Sequence, residues 1–319
     1  MREFAKRKMT SLPAVVTDYL GMALALTGLI VFFGFRADNF FTLTTFRTIA
    51  NQVPDITIVA VGMTFVLIIA GIDLSVGSVM ALAGAVLGLC LVKFNLSLPA
   101  AIVLCLLVGV LCGLLNGLVV IRWALPSFIV TLGMLEIARG AAYLVTESRT
   151  VYIGEPVEII VEASILGLSL PFIIAVLIVA AGQLALSRTV FGRYLIAIGT
   201  NEEAVRLSGI NPGPLKLAVF VLCGFLTSVA AVIHTARLSS ADPNAGNGLE
   251  LAAIAAVVIG GTSLMGGRGS VVRSFFGVLI IAVLGTGLAH VGAQESTKRL
   301  ITGCVIVAAV ILDHYRHRT

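Results

Sequence analysis

The sequence predicts an all-α, polytopic helical membrane protein: about ten transmembrane helices in a single domain over residues 1–319, with both termini cytoplasmic. Three observations predict it. The chain is 59% hydrophobic, with a mean hydropathy of +1.09. Only 12% of its residues are charged, whereas a soluble surface needs roughly 25–35%. Apolar runs close to the length of a spanning helix recur from one end to the other. Such a chain cannot solvate the surface of a soluble enzyme, and it is far too apolar for disorder. The net charge of +5 does not indicate nucleic acid, because the basic residues are dispersed between apolar runs and aromatics are only 7%.

A spanning helix takes about 20 mostly apolar residues. The candidates are 18–35, 50–71, 78–94, 98–121, 125–146, 166–187, 214–237, 249–265, 271–291 and 298–313. The eighth is the weakest, being short and ending in glycines. Pro54, Pro99, Pro126, Pro171 and Pro214 lie near predicted starts, where a missing N–H costs nothing. The first run is too long for a signal-peptide core of about 7–15 residues and follows Arg2, Lys6, Arg7 and Lys8, so it reads as an uncleaved span. Alternating the spans from a cytoplasmic N-terminus puts thirteen of the 21 lysines and arginines inside, among them Arg122, Arg188, Arg193, Arg206, Lys216 and Arg268. That agrees with the positive-inside rule. The outer loop at 147–165 carries Glu147, Glu155, Glu158 and Glu162 against Arg149. Cys90, Cys105, Cys112, Cys223 and Cys304 sit in apolar runs without metal or redox spacing and read as small buried hydrophobes.

A weak repeat links two glycine-interrupted stretches. Ile69, Gly71, Leu74 and Gly77 match Ile259, Gly261, Leu264 and Gly267 at a constant offset of 190. Broken hydrophobic segments in corresponding halves point to a transport pathway, or else to tight packing through small residues. Ionisable residues inside the apolar runs are few, and each needs a cavity or a partner. Asp73 reads as capping a helix that starts near Ser75, or as lining a water-filled cavity. Glu136 and Arg139, at i and i+3, read as neutralising each other. Glu250 opens the eighth run. The candidate pathway residues are therefore Asp73, Ser75, Glu250, Thr262 and Ser263.

Enzyme signatures do not occur. There is no G-x-x-x-x-G-K-[ST] phosphate loop and no H-E-x-x-H. The four histidines show no zinc spacing, and Gly266-Gly267-Arg268-Gly269 has the makings of a tight turn. No cofactor or metal is expected. The informative stretch is the loop at 188–213. Thr200-x-x-Glu203 reads as a capping box, Gly209 as a helix stop, and Pro212 follows. A helix that short is unstable alone in water, so it must dock on the chain's own surface or on a partner.

Glu203-Ala204-Val205-x-x-x-Gly209 resembles the E-A-A-x-x-x-G loop of ATP-binding cassette importer permeases. The runs Ala70–Gly77, Pro126–Gly133, Gly192–Gly209 and Glu250–Leu264 together resemble the ribose-type, monosaccharide-importing branch, in order and over nearly the whole chain. Val205 departs from the second alanine of the consensus. The resemblance implies a bacterial inner-membrane permease that does no covalent chemistry and works beside a second permease subunit, identical or closely related. It implies a cytoplasmic ATPase subunit, which binds the ATP, and an external sugar-binding protein. In that reading Thr200, Glu202, Glu203, Ala204, Val205, Arg206, Leu207 and Gly209 form the ATPase contact. The apolar side chains would fill a partner cleft, and Glu202, Glu203 and Arg206 would lie at its rim. A nucleoside or branched-chain amino acid permease of the same superfamily, or an ATP-independent carrier, is the alternative.

Overall fold

The computed structural model describes residues 12–37, 39–165, 168–294, 296–298, 300–305 and 307. Twelve helices dominate the described residues: α1 (Leu12–Arg36), α2 (Leu43–Ile68), α3 (Val76–Val92), α4 (Leu98–Arg122), α5 (Ser127–Thr146), α6 (Glu155–Glu162), α7 (Leu170–Arg188), α8 (Val190–Thr200), α9 (Glu202–Leu207), α10 (Pro212–Leu238), α11 (Leu249–Ile259) and α12 (Val271–His290). Two small antiparallel ribbons complete the described fold. In one, β1 (Val151–Tyr152) pairs with β4 (Ser240–Ala241). In the other, β2 (Ser164–Ile165) pairs with β3 (Leu168–Ser169).

Among the described residues, seven helices are long and apolar enough to cross a membrane: α1 from Tyr19, α2, α4, α5, α7, α10 and α12. The protein is thus an all-α, multi-pass membrane protein. The long helices among the described residues do not by themselves make up the expected ten. Of the remaining three runs, α3 has 17 residues and α11 only 11. At 1.5 Å per residue α11 covers about 16 Å, half of a ~30 Å hydrocarbon core. Half of the tenth run, at 298–313, lies outside the described residues, as do both basic termini. Prolines fall at helix starts at Pro99, Pro126 and Pro171. Pro54 is the correction: α2 begins at Leu43 and carries Pro54 in its interior. The polar Thr42 supplies the true start, its hydroxyl accepting from Thr45 N–H.

Helices α2 and α10 are the buried centre of the bundle, and side chains such as Ile58, Met63, Phe65 and Phe220 are fully covered. Close approach of α4 to α10 comes from a glycine ladder. A Cβ at Gly109 would lie 2.1 Å from the Gly224 carbonyl oxygen, and one at Gly113 would lie 2.3 Å from that of Phe220. Small residues at four-residue spacing let backbones meet where lipid offers no hydrophobic drive for helix association.

The two ends of the bundle are distinguishable. At one, the β1–β4 ribbon packs on the last turns of α3, a Cβ at Gly88 meeting Ala241. At the other, the loop helix α8 sits on the end of α2, a Cβ at Gly199 meeting the Ile68 carbonyl, and α9 lies against α8 and α10. Near the ribbon end α2 is tied to α10 by a compact ion cluster. Asp55 Oδ2 lies 2.8 Å from His234 Nδ1 and accepts from Arg237 Nη2 at 2.8 Å, with only 8% of the Asp55 side chain exposed.

Candidate functional site

The loop at 188–213 holds two helices, not the single one expected. The first is α8, capped by Thr189, whose hydroxyl oxygen accepts from Gly192 N–H at 3.2 Å. The second is α9, and its cap corrects the expected capping box. Thr200 is the last residue of α8 and donates its hydroxyl to the Ile196 carbonyl. Asn201 caps α9 instead, its Oδ1 accepting from Ala204 N–H at 2.9 Å. Asparagine is among the strongest N-cap residues, and one residue closer its amide oxygen meets an orphan N–H of the first turn, while the Thr200 hydroxyl is already taken up within α8. Glu203, released from that role, pairs with Arg206, and Glu202 pairs with Lys216 at 3.0 Å.

The stop signal is formed as expected. Gly209 takes φ +81°, its N–H donates to the Arg206 carbonyl, and Ile210 N–H donates to that of Val205. These two bonds make a Schellman ending, which a left-handed glycine permits. Val205 and Ile210 pack on the chain's own core, and Val205 is buried. Val205 therefore does not offer itself to a partner cleft, contrary to expectation. Docking on the chain itself is what holds so short a helix. Glu202, Glu203, Ala204, Arg206 and Leu207 are exposed, Leu207 at 80%.

The two repeat stretches meet, and they meet beside this loop. Gly267 N–H donates to the Ile68 carbonyl at 2.8 Å. A Cβ at Gly266 would touch Ala70, and one at Gly267 would touch Thr200. Gly199, Thr200, Ser263, Met265, Gly266, Gly267 and Arg268 line one open groove. A residue expected on the pathway, Ser263, thus shares a groove with one expected in the coupling loop, Thr200.

The other expected pathway residues form separate groups. Asp73 Oδ1 accepts from Ser75 N–H at 2.9 Å and from the Ser75 hydroxyl at 2.6 Å, which closes the turn that leads into α3. Asn116 Nδ2 donates to Ser75 Oγ at 3.0 Å, and all three side chains are buried in the protomer. Thr262 is buried in a hydroxyl cluster, 3.5 Å from Ser274 Oγ, which in turn accepts from the Thr64 hydroxyl at 2.8 Å. Glu250 is half-buried beside Gly77 at the start of α3.

The Glu136–Arg139 pair does not form. Arg139 Nη1 donates to the carbonyls of Pro243 and, at 2.9 Å, Ala245, leaving Glu136 exposed. An irregular backbone offers carbonyls that need donors, and those outcompete a carboxylate on the same helix. Sequence reasoning missed Asn116, the Asp55–His234–Arg237 cluster and the segment Asp242–Gly248. A lone amide in an apolar span, and His and Arg at i and i+3 in a last helical turn, were the available signals.

Residues 45–310 match the family described as branched-chain amino acid transport system / permease component. The chain is 41% identical to the ribose import permease of Haemophilus influenzae over 282 residues, covering 87% of each chain. It is 40% identical to the ribose import permease of Escherichia coli K12, covering 91% of this chain and 92% of that one. It is 36% identical to the fructose import permease of Rhizobium meliloti, covering 90% and 82%. No solved structure matches the chain. Four-fifths of the residues thus fall within one family match, and the likeness spans the spans, the breaks and the loop alike. The chain belongs to the branched-chain amino acid transport system / permease component family and is of the ribose import permease type.

Proposed function

We propose that the chain is the membrane-spanning permease subunit of an ATP-binding cassette importer that carries a monosaccharide across the bacterial inner (plasma) membrane. It pairs with a second permease subunit, identical or closely related, and lies in membrane lipid. It takes the sugar from an external binding protein and draws its energy from a separate ATPase, with no ATP site of its own. The family description names branched-chain amino acids. Identities of 33–41% to permeases named for ribose, fructose and xylose favour a monosaccharide.

In this reading the α8–α9 end faces the cytoplasm and the β1–β4 ribbon faces outward. Ten segments cross the membrane: the seven long helices, α3 with its extended lead-in, the segment 240–259 with α11, and the run at 298–313. Both termini are then cytoplasmic. The observation that carries the coupling role is the junction of Gly199–Thr200, Ile68–Ala70 and Gly266–Gly267. A movement of α8 and α9 imposed by an ATPase acts directly on both breaks in the bundle, which is how a local contact becomes alternating access. Glu250 and Ser263 reach the protomer surface and face the path, while Asp73, Ser75 and Thr262 brace the breaks behind it.

Cross-linking tests the assignment. In a background without native cysteines, a cysteine at Leu207 links to the ATPase subunit, while one at Tyr152, 73% exposed on the ribbon, does not. A link from position 152 and none from position 207 contradicts the proposed orientation.

A further inference from the structure

Helix α5 has three faces. Successive residues turn by about 100°, so Thr131, Met134, Ala138 and Ala142 form one buried face. Ile137 and Leu144, 66% and 82% exposed, lie on the opposite side. Between them runs a polar stripe of Glu136, Arg139 and Tyr143, and against it lies the segment Asp242–Gly248. Arg139 holds two carbonyls of that segment, and the Tyr143 hydroxyl donates to Asn244 Oδ1 at 2.6 Å.

This polar surface lies deep in the bundle. The segment leaves the ribbon at Ala241, which packs on Gly88, and reaches Gly77 at Gly246. Eleven residues of α3 separate those two contacts, about 16 Å of helix, or half of the hydrocarbon thickness. Glu136 stands ten residues from the ribbon end of α5, about 15 Å down. At that depth Glu136, Asn247 and Gly248 are exposed and Glu250 is half-exposed, while Asn244 is exposed nearer the ribbon, beside Tyr143. Irregular backbone and charged side chains do not face lipid at such a level. They occur where protein buries them or where they line water.

Resting on the importer reading above, we infer that Glu136, Tyr143, Asn244, Asn247 and Glu250 form the surface that contacts the solute as it crosses, and that this surface selects neutral polyhydroxylated molecules. Carboxylates accept hydrogen bonds from sugar hydroxyls, and the two amides both donate and accept. The tyrosine offers an apolar ring face beside a polar tip. An anion meets Glu136, Glu250 and Asp242, while Arg139, the cation of the stripe, is already committed to two carbonyls.

The test uses the permease–ATPase complex in liposomes, with the five native cysteines replaced. A cysteine at Asn247 reacts with a membrane-impermeant thiol reagent, while one at Ile137 does not. Ribose slows the reaction at position 247, and ribose 5-phosphate at the same concentration does not. Asn247→Leu lowers ribose import about tenfold, the effect of losing one well-placed hydrogen bond, and co-purification of the ATPase separates this from failed assembly. No labelling at 247, disulfide-linked permease pairs through 247, or equal protection by the phosphate ester overturns the inference. If the wild-type complex with its binding protein imports no ribose under ATP, the importer reading fails instead, and the labelling results stand apart from it.

Discussion

Replacing Gly199 with alanine probes how α8 is joined to the bundle. Gly199 is helical, so the change alone would favour the helix by about 1 kcal/mol. The space forbids it. An added Cβ would lie 1.8 Å from the Ile68 carbonyl oxygen and 2.4 Å from Gly267 N. Real Cβ atoms essentially never approach within 3.0 Å, so the neighbours must part by about 1.2 Å. The bond at stake is the 2.8 Å one from Gly267 N–H to the Ile68 carbonyl, both residues being buried. Leaving such a group unpaired costs about 1–3 kcal/mol, and overpacking costs about 1–3 kcal/mol. Set against the propensity gain, the net penalty is about 1–5 kcal/mol, concentrated where the loop meets both breaks. Gly199→Ala should insert and retain the ATPase, because the exposed face of α9 is untouched, but hydrolyse ATP with little uptake. The assay measures solute imported per ATP hydrolysed in liposomes, alongside thermal unfolding in detergent. Unchanged import per ATP together with unchanged thermal stability would refute the reasoning.

Three further outcomes follow from the geometry. Gly209→Val should weaken ATPase co-purification and import while Gly209→Asn keeps them. No atom lies within 4 Å of an added Cβ there, so the cost is the left-handed backbone alone, about 1–2 kcal/mol for ordinary residues and least for asparagine; equal behaviour of the two variants contradicts this. Gly113→Ala should lower the melting temperature through about 1–3 kcal/mol of overpacking against the α10 backbone, whereas Gly140→Ala, with open space around it, should not, as paired melts in detergent would show. Asp55→Ala should destabilise the fold by about 3 kcal/mol, the low end for a broken buried pair because Arg237 keeps about a quarter of its side chain exposed; a melt matching wild type would show that the cluster contributes nothing.

Much of the fold is legible in the sequence because lipid imposes a simple rule on length and polarity. Six of the long helices lie close to the runs expected from apolar length, and Gly209 ends α9 as its residue type demands. Failures cluster where tertiary partners override local signals. Pro54 reads as a start because its own strand of sequence says nothing of Thr42 capping twelve residues earlier. Thr200 reads as a cap because the continuation of α8 up to it is invisible without its core contacts at Leu195 and Ile198. Glu136 and Arg139 read as a pair because nothing local announces the carbonyls of Pro243 and Ala245. The eighth run shows its weakness openly, since its glycines and short length anticipate that α11 stops half-way. What stayed hidden is that Asp242–Gly248, a polar stretch that looks like an ordinary external loop, lies against Gly77.

The central claim is that transport here depends on a separate ATPase acting through the α8–α9 loop. The most direct measurement is uptake of radiolabelled ribose into liposomes that contain the purified permease, with its ATPase and binding protein added or withheld. The account predicts uptake against a gradient only when both partners and ATP are present, and its loss when Leu207→Asp places a charge on the exposed face of α9. Uptake by the permease alone, unaffected by ATP or by Leu207→Asp, would contradict it.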